Sequence, residues 1–293
     1  MSDPLISVVM PAYNHERFVG AAVDSVLAQS LGDLELVIID DGSTDSTAEV
    51  IRQRHDPRLR YHHQANADAY NALNAGIARA RGEWVAILNS DDCYHPDRLR
   101  DLLEFCRETK SVCAFTNVRP IDEAGTPIPE GAHFWHTWHA RNRAFFFEHR
   151  DLYAAFLRGN LMVTTSNLFM RAEAARRVGP FAALRYLHDY DFIFRMMVAH
   201  ADGVRYLDDR ILLDYRIHGS NTLKQGAIKA RLEDQQVIRT YMLALVPDAA
   251  RRRVETGVNR LVELEAELQQ VRAGLRWGRL KPVADWVGRR IKR

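Results

Sequence analysis

Three polar clusters each follow a short apolar run, and their side chains are of the kinds that hold cations. Pro11-Ala12-Tyr13-Asn14 follows LISVVM, Asp40-Asp41-Gly42-Ser43 follows LELVII, and Asn89-Ser90-Asp91-Asp92 follows WVAIL. Carboxylates gathered in one crevice repel an anion unless a divalent cation stands between them. All-oxygen ligands suit Mg²⁺ or Mn²⁺ better than zinc. The expected ligand is therefore phosphate-bearing and gripped through metal and carboxylate. Other phosphate grips are missing from the sequence: it has no GxG, hence no dinucleotide fingerprint, and no GxxxxGK[ST]. Any one cluster has a plainer reading as a solvated turn or helix cap. Their recurrence after buried runs weighs against it.

The elements that must position these clusters follow from pattern. LISVVM (5–10), LELVII (34–39), LRYHH (59–63), WVAIL (84–88) and SVCAF (111–115) read as strands. Helical spacing recurs between them: Val19, Ala22, Val23, Val26 and Leu27 after an Asn14 cap, a helix near 46–54, and Tyr70, Leu73 and Ile77 after an Asp68 cap. Pro96 suits a further helix start. This βαβα order predicts an α/β fold, a mostly parallel sheet with helices on both faces, whose ligand sits beyond the carboxyl ends of the strands. From about 120 to 160 the rhythm breaks, and HFWHTWHARNRAFFF (133–147) reads as an aromatic and basic loop. His133, His136 and His139 in it have no well-spaced carboxylate or cysteine partner, which argues against a metal cluster there. Regularity returns with LMVTTSNLFM (161–170), a helix near 189–200, and the strands VRYLDD and ILLDYRI.

Bulk properties set the class. The chain has 293 residues, is 47% hydrophobic and 27% charged, and carries a formal net charge of +2. Residues 251–293 hold 12 Lys/Arg against 5 Asp/Glu, while the preceding 250 hold 28 against 33. Without a recognised fold or stacking platform, that basic tail does not argue for nucleic acid. Cys93, Cys106 and Cys113 lack CxxC spacing and are expected as reduced thiols of a cytoplasmic protein. MSDPLISVVMP has no basic region ahead of its apolar run, so neither a signal peptide nor a membrane span is expected.

In order, VVMPAYN, VIIDDGSTDST, NAGIARARGEWVAILNSDD, HDYDFIFRM and YRIHGSN resemble glycosyltransferase family 2, over residues 5–221. The resemblance implies a GT-A fold and an inverting transferase that takes a nucleotide-diphospho-sugar, most simply UDP-linked, to a glycan or lipid-linked acceptor in cell-surface polysaccharide synthesis. It implies Mn²⁺ or Mg²⁺ held by Asp91, Asp92 and His218. It implies nucleotide contacts from Pro11, Ala12, Tyr13, Asn14, Asp40, Asp41, Asp68, Asn74, Asn89 and Ser90. Asp189 matches the family's general base, with Asp191 a weaker candidate whose plainer role is to complement the helix dipole. His218 has a plainer reading as a structural histidine. Two departures stand out: Asn89 opens the family's DxD position, and His188 replaces the usual first acid before Asp189. They keep open an alternative, a catalytically impaired nucleotide-sugar-binding protein. A sugar-phosphate nucleotidyltransferase fits less well, because PAYNHER offers no glycine-rich loop.

The expected organisation is a catalytic domain over 1–222, with a nucleotide-binding part to about 118 and an acceptor-binding part over 119–222. A helical extension follows over 223–293. Leu261, Leu264, Leu268, Val271 and Leu275 form a heptad-like seam, so 254–275 fits either core packing or a homo-oligomer contact. Residues 275–293 combine an apolar stripe with a basic rim, which fits either packing on the domain or peripheral contact with the inner membrane face.

Overall fold

A computed structural model describes residues 3–219 continuously and, beyond them, only 232–233, 235–242, 259 and 263–264. The chain divides into two compact units, Met1–Asn221 and Thr222–Arg293. Apart from isolated positions, the oligomer and membrane expectations for 254–275 and 275–293 lie outside the described residues. No helix among the described residues is long and apolar enough to cross a membrane.

The first unit is built on one sheet of eight strands: β1 (Ile6–Ala12), β2 (Leu34–Asp40), β3 (Leu59–His63), β4 (Trp84–Ile87), β5 (Cys93–Tyr94), β6 (Cys113–Ile121), β7 (Phe169–Arg171) and β8 (Val204–Arg216). Their order across the sheet is β3-β2-β1-β4-β7-β6-β8-β5. The block β3-β2-β1-β4 is parallel, as is β6 with β8. β7 runs antiparallel between β4 and β6, and β5 runs antiparallel to β8. The position near 118 expected to divide nucleotide and acceptor parts lies inside β6, within this continuous sheet.

β1 and β2 are buried at every position, which explains apolar runs without alternation: both faces are covered. Ile6, Val8 and Met10 share a core with Val19 and Val23 of α1 (Val19–Leu27) and with Leu99 and Leu102 of α4 (Arg98–Thr109). On the other face Val37 and Ile39 meet Ala72 of α3 (Ala69–Arg79). A Cβ on Gly76 would stand 2.2 Å from Val9 Cγ1, so only glycine lets α3 lie this close to β1.

Several local expectations are corrected. Asn14 caps no helix, since α1 begins only at Val19; it takes the left-handed conformation at φ 50 and binds the loop between β2 and α2 (Thr47–Arg52) instead. Asp68 heads α3 at φ 69 without a capping bond, and its carboxylate pairs with Arg185 at 2.7 Å. The stretch read as an aromatic loop, 133–147, lies almost wholly in helix α5 (Phe134–His149), and α6 (Leu152–Arg158) follows it. Aromatic and basic residues surround α5 on all sides, so no stripe betrays it; tertiary contacts at buried Trp135, His139 and Asn142 hold it. His139 stacks on Trp135 and bonds Asn117 at 2.8 Å, while His136 reaches the Ile128 carbonyl, so the histidines do not converge. VRYLDD and ILLDYRI form the single strand β8, whose pairing with β6 shifts register around Asn117.

Candidate functional site

The carboxyl ends of β1, β2 and β4 lie side by side, as the parallel register requires. Asp40, the last residue of β2, is fully buried; it accepts from Tyr61 (2.6 Å) and Ser43 N (2.9 Å) and faces His63 at 3.4 Å. Burial opposes its charge, yet these hydrogen bonds hold its carboxyl below the ordinary range. Asp41 is held by Gln64 (2.7 Å) and by Ala67 N. Asn14 and the β2–α2 loop staple each other, with Asn14 N donating to Ser43 Oγ and Thr44 N to Asn14 Oδ1. Pro11 and Ala12 are buried, and Tyr13 is exposed.

Beyond β4, the four residues of the NSDD turn separate in role. Asp91 Oδ2 lies 3.0 Å from His218 Nε2, which β8 delivers from the far side of the sheet. Burial opposes the Asp91 charge; the His218 hydrogen bond and the nearby His15 ring overcome it and hold the carboxyl down. His15, three residues past β1, offers a ring nitrogen, and the donor atoms of His15, Asp91 and His218 all lie within 4.8 Å of one another. Its Nδ1 is 2.8 Å from Ser90 Oγ. A carboxylate with two imidazoles fits a divalent cation. Asp92 is not part of this group. It accepts from Ser166 Oγ (2.6 Å), Thr164 Oγ1 (3.3 Å) and Arg216 N (2.9 Å), and burial, with the Asp91 charge beside it, pushes its carboxyl well up.

A short turn links this cluster to the other acid. Asn160–Asn167 runs ahead of β7 and ends in a 3-10 turn at Thr165–Asn167. Thr164 and Ser166 bind Asp92, Thr164 also takes the Asn89 amide at 3.2 Å, and Thr165 meets His188 at 3.2 Å. His188 opens α8 (His188–Ala199), and the next residue, Asp189, is 6% exposed. Asn160 donates to Asp189 Oδ2 at 3.0 Å, and its own Oδ1 accepts from Val163 N at 3.2 Å. Val163 sits at φ 75, an expensive conformation for a β-branched residue. Burial raises the Asp189 carboxyl despite His188 and Asn160. Partly buried Tyr215 is pushed up by burial and then by the charges of Asp92, Asp91 and Asp189.

Other expected site residues are engaged elsewhere. Asp191 pairs with Arg195 at 2.7 Å, one turn along α8. Asn74 clamps the backbone of Phe181 in both directions, at 2.8 and 3.0 Å. Asp68 pairs with Arg185, as above. The residues that pattern reading missed are His15, Asn160, Thr164, Ser166 and Arg216. His15 stood inside the quoted PAYNHER, and the run of hydroxyls in LMVTTSNLFM was the other available signal. Arg216 knits the site's floor: its Nε donates to the Asp91 carbonyl at 2.8 Å and its guanidinium lies 5.1 Å over the Phe18 ring.

Comparison with known proteins gives the same picture. The family model described as Glycosyl transferase family 2 matches residues 7–179, which include the three strand ends and stop short of Asp189 and His218. An uncharacterized glycosyltransferase of Nostoc sp. is 31% identical over 235 residues, 76% of this chain and 67% of that protein. The chondroitin synthase of Escherichia coli is 37% identical over 131 residues, 44% of this chain but only 19% of the synthase. Among solved structures, S. aureus TarS in complex with UDP-GlcNAc superposes with a TM-score of 0.62 at 17% identity, over 86% of this chain and 71% of that one. The mannosyltransferase PcManGT from Pyrobaculum calidifontis, in complex with GDP-Man and Mn²⁺, gives 0.61 at 15% identity, over 90% and 71%. These likenesses establish the GT-A fold, and with more than half its length matched by the family model, the chain belongs to glycosyltransferase family 2.

Proposed function

We propose that this chain is an inverting, metal-dependent glycosyltransferase. It takes a sugar from a nucleotide-diphospho-sugar, UDP-linked in the first instance, to a hydroxyl of a glycan or lipid-linked acceptor in cell-surface polysaccharide synthesis. The observation that carries this reading is the buried Asp189, joined through the 160–167 turn to Asp92, the neighbour in sequence of the Asp91 that pairs with His218. One carboxylate stands apart from the paired donors, as a single-displacement transfer requires.

Asp189 accepts the proton of the acceptor hydroxyl as that oxygen forms its bond to the anomeric carbon. The bond from that carbon to the donor phosphate breaks in the same displacement, which inverts the configuration. Asp91 and His218 would hold a Mn²⁺ or Mg²⁺ ion, whose charge offsets the charge developing on the departing diphosphate. Asp40 and Asp41, rigidly held at the end of β2, present the β2–α2 loop to the nucleoside. Names of similar proteins support the substrate class: TarS with UDP-GlcNAc, PcManGT with GDP-Man and Mn²⁺, and chondroitin synthase.

A panel of UDP- and GDP-sugars with Mn²⁺ and an acceptor extract tests the reading by release of nucleoside diphosphate and by the anomeric configuration of the product. Metal-dependent release with inversion is expected. Full transfer activity in both Asp91→Ala and Asp189→Ala would sink the assignment. Tight donor binding without any release would favour the impaired binding protein instead.

A further inference from the structure

The metal set that the family resemblance implies, Asp91, Asp92 and His218, holds one imidazole, yet the side chains that gather beyond β4 supply two imidazoles and one carboxylate. We propose that His15 is a third ligand of the divalent cation, and that this N₂O donor set makes the site selective for Mn²⁺ and later first-row ions over Mg²⁺. The inference rests on the metal-dependent reading above and sharpens it by naming the ion and a ligand outside the NSDD turn.

Three observations carry it. First, Asp91 Oδ2 and His218 Nε2 are 3.0 Å apart, which is the separation of two adjacent donors bound to one cation by bonds of about 2.1 Å. His15 completes the group within 4.8 Å, a distance that a small side-chain rotation closes. Second, the imidazoles are held in place by groups that do not compete for the cation. Ser90 Oγ fixes the His15 ring at 2.8 Å, Phe18 packs against His218 at 4.8 Å between centroids, and the two imidazoles meet edge to face at 5.8 Å. Ligating histidines are commonly oriented by such neighbours. Third, the two imidazoles are accessible. A cleft of about 310 Å³, lined by Asn14, His15, Phe18, Glu123 and His218 among others, opens onto both histidines.

Selectivity follows from ligand chemistry. Mg²⁺ prefers oxygen and gives up water reluctantly, so each imidazole in place of an oxygen ligand weakens it. Mn²⁺, Co²⁺ and Zn²⁺ accept imidazole, and affinity rises from Mn²⁺ to Co²⁺. Asp92, the other acid of the turn, cannot restore an all-oxygen site while three protein donors engage it.

The test titrates the full chain, without nucleotide, with Mn²⁺, Co²⁺ and Mg²⁺ separately, and reads bound Mn²⁺ by pulsed electron paramagnetic resonance. The expected result is coupling of Mn²⁺ to two imidazole nitrogens and binding at least about tenfold tighter than that of Mg²⁺. In His15→Ala one coupling is lost and the Mn²⁺ affinity falls by about tenfold or more, with Mg²⁺ little changed and the thermal midpoint of the metal-free protein retained. His15→Gln, which keeps the size of the side chain, covers the case in which the alanine variant misfolds. A single nitrogen coupling in the parent, with unaltered affinity in His15→Ala, overturns the third ligand while leaving Asp91 and His218 in place. Absence of Mn²⁺ binding with and without UDP, together with an Asp91→Ala variant that behaves as the parent, overturns the metal-dependent reading itself.

Discussion

The amino end of β2 and the cluster beyond β4 treat a buried carboxylate in opposite ways. At the amino end, Glu35 of β2 is 2% exposed and fully partnered: Ser7 Oγ donates at 2.6 Å, Arg81 N at 2.9 Å, and the guanidinium groups of Arg60 and Arg81 at 2.7 and 2.8 Å. Burial raises its carboxyl, but these donors overwhelm that effect and bring it down to about 2. At the carboxyl end, Asp92 and Asp189 are raised, and Asp91 is held down through imidazoles. One end makes its charge permanent with arginines. The other surrounds its acids with hydroxyls, an amide and imidazoles, groups that leave a carboxylate open to a change of charge. The contrast separates a carboxylate that holds the fold from carboxylates poised for chemistry, and it is open to direct attack.

The largest effect is expected from Asp189→Asn. The amide keeps size and accepts the Asn160 hydrogen bond through its oxygen, but it cannot take a proton and its NH2 faces the Tyr190 N–H, so kcat should fall by about 10²- to 10⁴-fold while stability falls by only about 1–2 kcal/mol. Single-turnover transfer beside a melting curve checks both halves. A variant with parental kcat would remove Asp189 from the chemistry and leave the carboxyl end without a base.

At the opposite end, Glu35 controls stability and leaves transfer alone. Its folded carboxyl lies near 2 against an ordinary value of 4.5, so its contribution is fully present above pH 4.5 and is lost as the pH falls towards 2. That shift is worth about 3 kcal/mol. Denaturant unfolding from pH 6 down to pH 2 should therefore show a steep loss of stability in the parent. Glu35→Gln should be less stable by about that amount at neutral pH and flatter in acid, with kcat per folded molecule retained. Equal acid profiles for parent and variant would erase the distinction between the two ends.

Much of this contrast was legible in sequence, though unevenly. The parallel block was readable because β1, β2 and β4, buried along their whole length, carry short and largely apolar runs, and β3 begins and ends where LRYHH does. The strand-end acids were readable because their polarity interrupts those runs. What pattern could not supply was pairing at a distance. Asp91 meets His218, 127 positions later, and Asp92 meets Ser166, 74 positions later, through the sheet order alone. The helix α5 was hidden for a different reason. Its aromatic and basic side chains face all directions, so no periodic stripe exists to be read.

A smaller effect, in pH rather than in rate, is expected from Asn160→Ala. Asn160 donates to Asp189 and so favours its charged form, and removing it should raise the Asp189 carboxyl further. The active base is the ionised form, so the acid limb of kcat should move to higher pH, with the plateau rate reduced only a few-fold. The Val163 turn loses a side-chain acceptor in the same variant, which should cost about 1 kcal/mol of stability. A conservative Asn160→Ser should recover part of the shift. An unmoved acid limb would mean that Asn160 serves the turn alone.

The smallest effect discriminates most finely within the NSDD turn, where two adjacent aspartates have different surroundings. Asp91 faces the imidazoles, and its replacement by Asn should abolish measurable Mn²⁺ binding. Asp92 faces Ser166, Thr164 and Arg216 N, and burial, then the Asp91 charge beside it, favours its neutral form. An amide of the same shape imitates that neutral form, and its oxygen can still accept from Arg216 N. Asp92→Asn should therefore change Mn²⁺ affinity by less than about threefold and stability by less than about 1 kcal/mol. Calorimetric titration of Mn²⁺ into the two variants side by side makes the comparison. If both lose the metal equally, Asp92 is a ligand after all, its hydroxyl partners give way when the cation enters, and the carboxyl end is less rigidly built than the amino end.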